Sequence, residues 1–211
     1  MEKQKRDAKA TKSKILIKAR LLFSKKGFDA TTVDDIARES EVNKALIYYY
    51  FKNKSGLYSE VMSGLFDAIY KEVVEASKQS EMIVEELKIF IKSYTDYAYE
   101  NPYFPALLLR ELSDSGAHLP EMMFASMRRL FLLLSDILER GTAQKVFVKP
   151  IPMVLHFMII GSINLMVTTD SLRKKAILLD AGIIDTCSEC SSDEVAAINK
   201  SQLSTLTSFK T

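Results

Sequence analysis

Residues 31–51 read TTVDDIARESEVNKALIYYYF, and the order of polar and apolar side chains in this run decides the fold. Thr32 stands where a helix N-cap would, and Asp35 three residues on completes a capping-box spacing. Val33, Ile36 and Ala37 fall on one side of the helix so begun, which ends near Ser40. Asn43 then caps another short helix carrying Leu46, Ile47 and Tyr50. Two short helices joined by a tight turn form a helix-turn-helix. The first braces the second, whose outward side chains enter the major groove of DNA. Only in that groove are all base pairs distinguishable.

Working outward, helical spacing recurs on both sides. Upstream, Ile15, Leu16, Ala19, Leu22 and Phe23 share one helix face, and Lys26-Gly27 stops that helix with Gly27 placed as a left-handed C-cap. Downstream, a fourth helix starts near Asn53 and runs past Tyr70. Ser80 opens the next, with Glu81, Glu85 and Glu86 where negative charge suits the dipole. Val84, Leu87, Ile91, Tyr94 and Ala98 step along it by threes and fours until Asn101-Pro102 ends it. Phe104–Leu112 is a short helix. Pro120–Arg140 is a long one with Met123, Met127, Leu130, Leu134 and Ile137 inward, stopped by Gly141. Pro150–Thr169 is the most apolar helix, and Leu172–Asp180 follows it. Ser191 and Glu194 make a capping box for a last helix reaching Leu206. Strand alternation is absent. The sequence therefore predicts an all-α protein of about nine to ten helices. A three-helix helix-turn-helix domain with a basic N-terminal arm occupies residues 1–54, and a helical body occupies 55–211.

Charge divides along the same line. Residues 1–60 carry 14 Lys and Arg against 8 Asp and Glu, a net of +6; residues 61–211 carry 15 against 19, a net of −4. A polyanion would meet the first part alone, although a Lys-rich tail also serves solubility. Lys3, Lys5, Arg6 and Lys9 would form a disordered arm, either adding phosphate or minor-groove contacts or simply solvated. No signal peptide is expected, since Lys18 and Arg20 interrupt the first apolar stretch. Cys187 and Cys190 make no disulfide framework. Both features fit the cytoplasm. Ile151–Val167 is apolar enough to suggest a membrane span, but its Pro152, His156, Gly161 and Asn164 favour a buried helix at a subunit interface. The C-x-x-C of Cys187 and Cys190 has the spacing of a redox pair or half a metal site, and no second half accompanies it. The chain contains no G-x-S-x-G, H-E-x-x-H or glycine-rich phosphate loop. An enzyme is not expected, nor a cofactor or metal.

At residues 12–60 the sequence resembles the TetR family of transcription regulators. The resemblance is carried by Ile15-Leu16, Ala19, Leu22-Phe23, Gly27-Phe28, Thr31-Thr32-Val33, Ile36-Ala37, Val42, Ile47-Tyr48-Tyr49-Tyr50-Phe51, Lys54 and Leu57. It implies that Lys44, Ala45, Leu46 and Tyr48 contact bases. Thr32, Tyr49, Tyr50, Lys52 and Lys54 match positions that touch phosphate. Lys54 also fits as a cation that becomes favourable in a first helical turn when a phosphate sits nearby, or as a solvated lysine. Phe51 and part of Tyr50 are assigned to packing, leaving the Tyr48 and Tyr49 hydroxyls for DNA. Two positions depart from the family. Leu46 replaces a small or hydroxylated residue; it can meet a thymine methyl and offers no hydrogen bond. Glu41 replaces the turn glycine that suits a positive φ.

The resemblance further implies a ligand-binding and dimerising body. Tyr94, Tyr97, Phe104, Leu108, Met123, Met127, Phe131 and His156 are its candidate pocket lining, since Met and aromatic side chains adapt to apolar ligands. At helical spacing the same residues also read as ordinary core. Arg110-Glu111 would pair with a polar ligand or with each other. The expected partners are operator DNA, a second copy of the chain and an unknown small-molecule effector, with no membrane. A DNA-bound adaptor whose body holds a partner protein is the alternative.

Overall fold

The computed structural model describes residues 2–77, 80, 82–178, 191–193 and 196–197. Nine α-helices and no strands occur among them. They are α1 (Glu2–Ala30), α2 (Val33–Ser40), α3 (Lys44–Phe51), α4 (Lys54–Ser77), α5 (Ile83–Glu100), α6 (Tyr103–Ser113), α7 (Glu121–Ala143), α8 (Pro152–Thr168) and α9 (Asp170–Leu178). The all-α expectation holds. The C-x-x-C cysteines and most of the expected last helix lie outside the described residues.

Two compact units form. One joins Met1–Asp67 to Ala106–Ser126, and the other joins Ala68–Pro105 to Met127–Thr211. In the first, Ile15, Ala19, Phe23, Ile36, Ile47, Phe51, Leu57 and Met62 are buried, drawing α1 to α4 around one core. Helical spacing places each of them on an inward face. In the second, Phe90, Ile91, Leu134, Ile137, Leu155, Ile159 and Ile163 bring α5, α7 and α8 together. The compact units therefore include the first half of α4 and a later segment alongside residues 1–54.

Several boundaries differ from the sequence reading. The stretch holding Lys3, Lys5, Arg6 and Lys9 belongs to α1 rather than to a disordered arm. No glycine or proline interrupts residues 2–26, and Lys, Arg, Ala and Gln are good helix formers. Gly27 does leave helical geometry, at φ 82° and ψ 175°. Its positive φ is paired with an extended ψ, a glycine-only region rather than a left-handed cap. The chain then makes one more turn to Ala30. The fifth helix starts at Ile83 with Met82 at its N-cap position, because the Ser80 hydroxyl is spent on the Met82 backbone before the helix begins. Gly141 does not stop α7, which runs on to Ala143. The Phe147 ring instead lies directly against Gly141, where a Cβ would approach within 2.1 Å of it. No helix among the described residues is long and apolar enough to cross a membrane.

Candidate nucleic-acid interface

The reader is built by three local devices. The Thr32 hydroxyl accepts the Asp35 backbone N–H at 3.0 Å and starts α2. The half-buried Asp35 carboxylate takes Arg38 Nη2 at 2.5 Å and Lys26 Nζ at 3.3 Å. Arg38 above all, then the Thr32 hydroxyl and Lys26, lower its pKa from 3.8 to about 2. At the other end of α2, the Glu41 N–H donates to Arg38 O and the Val42 N–H to Ala37 O, each at 3.1 Å. That is a Schellman ending, with Glu41 at φ 50°, ψ 44° in the left-handed position. A glutamate holds the conformation a glycine would favour, and its carboxylate takes Lys14 Nζ at 2.6 Å. Third, Asn43 Oδ1 accepts the Ala45 N–H at 2.8 Å and opens α3.

On α3, Ile47 and Phe51 are buried, and the opposite face carries Ala45, Leu46, Tyr48 and Tyr49 exposed. Leu46 is 38% exposed, Tyr48 44% and Tyr49 79%. Tyr50 is half-buried, with its ring edge-on to Tyr49 and Phe51. Lys44 joins the edge of the exposed face, but its ammonium bonds to Asp34 Oδ2 at 2.8 Å. Thr32 is exposed at the start of α2, and Lys52 is exposed at the end of α3 in a positive-φ cap, φ 68°.

Lys54 is placed otherwise. Its Nζ donates to Phe28 O at 2.9 Å and Asp29 O at 3.4 Å, and stands 4.1 Å from the Phe28 ring centroid. The residue is half-buried, and its ammonium spends two of its three N–H donors on the protein. It braces the end of α1 against the start of α4. Asn53 Oδ1 caps α4 by accepting the Gly56 N–H at 2.8 Å. The chain folds so tightly there that a Cβ on Gly56 would meet Phe51 O at 2.1 Å.

The eight candidate pocket residues are divided between the two units. Leu108 and Met123 are buried in the first unit. In the second, Tyr94 and Tyr97 pack edge-on to Phe104 at 6.0 and 5.5 Å, and all three are buried. The Tyr94 hydroxyl donates to Asn164 Oδ1 at 3.0 Å, and burial raises its pKa. Met127, Phe131 and His156 are half-buried. His156 meets Phe131 edge-on at 5.4 Å, its buried Nδ1 has no hydrogen-bond partner among the described residues, and burial lowers its pKa. A groove of about 430 Å³ lies elsewhere in this unit, between Leu138, Thr142 and Ala143 on α7 and Pro150 and Pro152.

Sequence reasoning missed a polar cluster in the first unit. Arg110 and Glu111 do not pair. The Arg110 guanidinium packs on Gly27 and donates to Lys25 O at 3.5 Å. Glu111 is buried and accepts the Tyr58 hydroxyl, which raises the tyrosine pKa after burial has done so. His118 stacks on Phe28 at 4.6 Å and reaches Asp29 and Asp114, each at 3.3 Å. Phe28, Asp29, Arg110, Glu111, Asp114 and His118 line a cleft of about 320 Å³. Adjacent Arg and Glu were the visible signal, but their partners lie 85 and 53 residues away, respectively.

Known proteins share both halves of this arrangement. Residues 15–61 match the model of the bacterial regulatory proteins of the tetR family, and residues 84–177 match the tetracyclin repressor-like C-terminal domain. The probable HTH-type transcriptional regulator YttP of Bacillus subtilis (strain 168) is 28% identical over 153 residues, 71% of this chain and 72% of that protein. The biofilm operon icaADBC HTH-type negative transcriptional regulator IcaR of Staphylococcus aureus (strain Newman) is 35% identical over 80 residues, 38% of this chain and 43% of that protein. The Bacillus subtilis regulator FadR, solved in complex with stearoyl-CoA, superposes with a TM-score of 0.69 at 20% identity, covering 94% of this chain and 99% of that one.

Proposed function

Because this chain belongs to the TetR family of bacterial regulatory proteins, we propose that it is a repressor that binds palindromic operator DNA as a homodimer and is released by a small, largely apolar ligand. The observation that carries this reading is the exposed face of α3, held by the Thr32 and Asn43 caps at the basic end of the chain. Lys44, Ala45, Leu46 and Tyr48 meet base edges; Thr32, Tyr49, Tyr50 and Lys52 meet phosphate. Lys54 braces the turn behind α3 with two of its three ammonium donors and has the third left for phosphate. The relative IcaR is a negative regulator, which favours repression.

Dimerisation is supported by α8, whose Met153, Val154, Phe157, Met158 and Leu165 are exposed. An apolar strip of that kind on one helix marks an interaction site. The ligand reading rests on the apolar interior of the second unit, with Tyr94, Asn164 and His156 among its polar groups, and on the stearoyl-CoA held by FadR.

Selection of bound duplexes from a random pool tests the proposal. Enrichment of an inverted repeat is expected, with half-sites centred about 34–36 Å apart or a multiple of that. A pool that stays random overturns it. A ligand found by thermal shift must then bind more weakly in the presence of operator, by the factor with which it weakens operator binding. Equal ligand affinity with and without operator would remove the release step.

A further inference from the structure

The polar side chains that lead into α3 each have a partner within the protein, and Lys44, in an exposed pair with Asp34, keeps donors for a base edge. Asn43 caps Ala45, Lys44 is bonded to Asp34, and Glu41 holds Lys14. What the first turn leaves outward is Ala45 and Leu46. One turn on, Tyr48 and Tyr49 lie three and four residues from Ala45, and Tyr49 lies three from Leu46, so the four make a continuous strip. That strip presents a methyl group, an isobutyl group and two phenol rings. Leu46 is 38% exposed, while Ile47 and Phe51 fill the core from the same helix.

Base edges in the major groove differ in their donors and acceptors, and in one apolar feature, the C5-methyl of thymine. An isobutyl group pressed on a guanine or cytosine edge strips water from polar atoms and returns no hydrogen bond, which is unfavourable. Pressed on a thymine methyl, it buries apolar surface on both sides. We infer that Leu46, with Ala45 beside it, reads thymine C5-methyl groups, so that methyl contact, alongside any hydrogen bond from Lys44, specifies part of each half-site. This rests on the reading of the chain as a DNA-binding regulator and adds the chemistry of its specificity.

The test uses the full chain and the operator recovered from the random pool. Each thymine is replaced in turn by deoxyuridine, which lacks only the C5-methyl. Affinity should fall about fourfold for each methyl that is read, at one or two positions per half-site, with other thymines indifferent. Leu46→Ala lies on an exposed position and leaves the core intact. It should weaken binding to the thymine operator and abolish the uracil penalty at its own position, whereas Tyr49→Phe should keep that penalty. 5-Methylcytosine placed there should bind better than cytosine. If binding is intact and uracil is tolerated at every thymine, the inference fails. It fails equally if Leu46→Ala retains the full penalty everywhere, since the methyls would then act through DNA shape. If no sequence is enriched at all, the DNA-binding reading fails first, and this inference with it.

Discussion

Lys54 and Asp35 show how single side chains set up the reader. A lysine that only neutralised phosphate would, on removal, weaken DNA binding and leave the fold untouched. Lys54 instead satisfies two carbonyls and lies over the Phe28 ring. Lys54→Ala should therefore lower stability by about 1 kcal/mol, from the lost hydrogen bond and cation–π contact. Thermal unfolding without DNA checks this; an unchanged melting temperature with weakened DNA binding would return Lys54 to the phosphate contacts. Asp35 makes an acid-side prediction. Its pKa in the folded protein, about 2, lies below the ordinary 3.8, so the ionised form is favoured by folding. Its contribution is complete above pH 3.8 and is lost as pH falls through about 2. Asp35→Asn should melt lower than the parent at neutral pH, and the gap should close between pH 3.8 and about 2. Melting curves of the two proteins across that range measure it, and a gap that stays constant would count against the Arg38 and Lys26 pairing.

At the scale of elements, the junction between α3 and α4 is the tightest point of the reader. Gly56 sits on α4 beneath Phe51 O, and an added methyl at 2.1 Å would meet backbone rather than a side chain that can swing away. Gly56→Ala should cost about 1–3 kcal/mol of stability, as overpacking does. It should also shift the end of α3 and weaken operator binding. Chemical denaturation and DNA titration of the same variant check both effects, and unchanged values in both would mean that the turn relaxes freely. The short helices were legible in sequence because their signals are local. Thr32 and Asn43 bond within three residues, and the αL position of Glu41 follows from where α2 must end. The close approach at Gly56 was not legible, nor was the Tyr58–Glu111 bond. Both depend on how helices meet, which no local pattern encodes. Gly141 was misread for the same reason: glycine signals a helix stop, yet here it makes room for Phe147. Helical spacing placed Tyr94, Tyr97 and Phe104 inward, but inward position does not distinguish a packed core from a cavity wall.

At the scale of the whole molecule, the proposal turns on α8. Its buried side carries Leu155, Ile159, Ile160, Ile163 and Val167 into the second unit. Its opposite side presents Met153, Val154, Phe157, Met158 and Leu165. Gly161 falls at the centre of that exposed strip by helical spacing, and nothing lies within 4 Å of where its Cβ would stand. A small residue flanked by exposed apolar ones allows two copies of the helix to approach closely about a two-fold axis. An interface of this kind also matches the symmetry of a palindromic operator, because each copy carries one reader and occupies one half-site. Phe157→Glu should break it. The site is 60% exposed, so a glutamate there is solvated in the monomer and leaves the core alone. In a dimer, two such charges would be buried face to face without partners, which is strongly unfavourable. The variant should be helical and monomeric by light scattering at micromolar concentration. Its affinity for a full operator should fall by about a hundredfold or more, since the second half-site is no longer engaged intramolecularly. Its affinity for an isolated half-site should match that of the parent reader. A variant that remains dimeric places the interface elsewhere. A monomer that keeps full operator affinity shows that the two readers act independently.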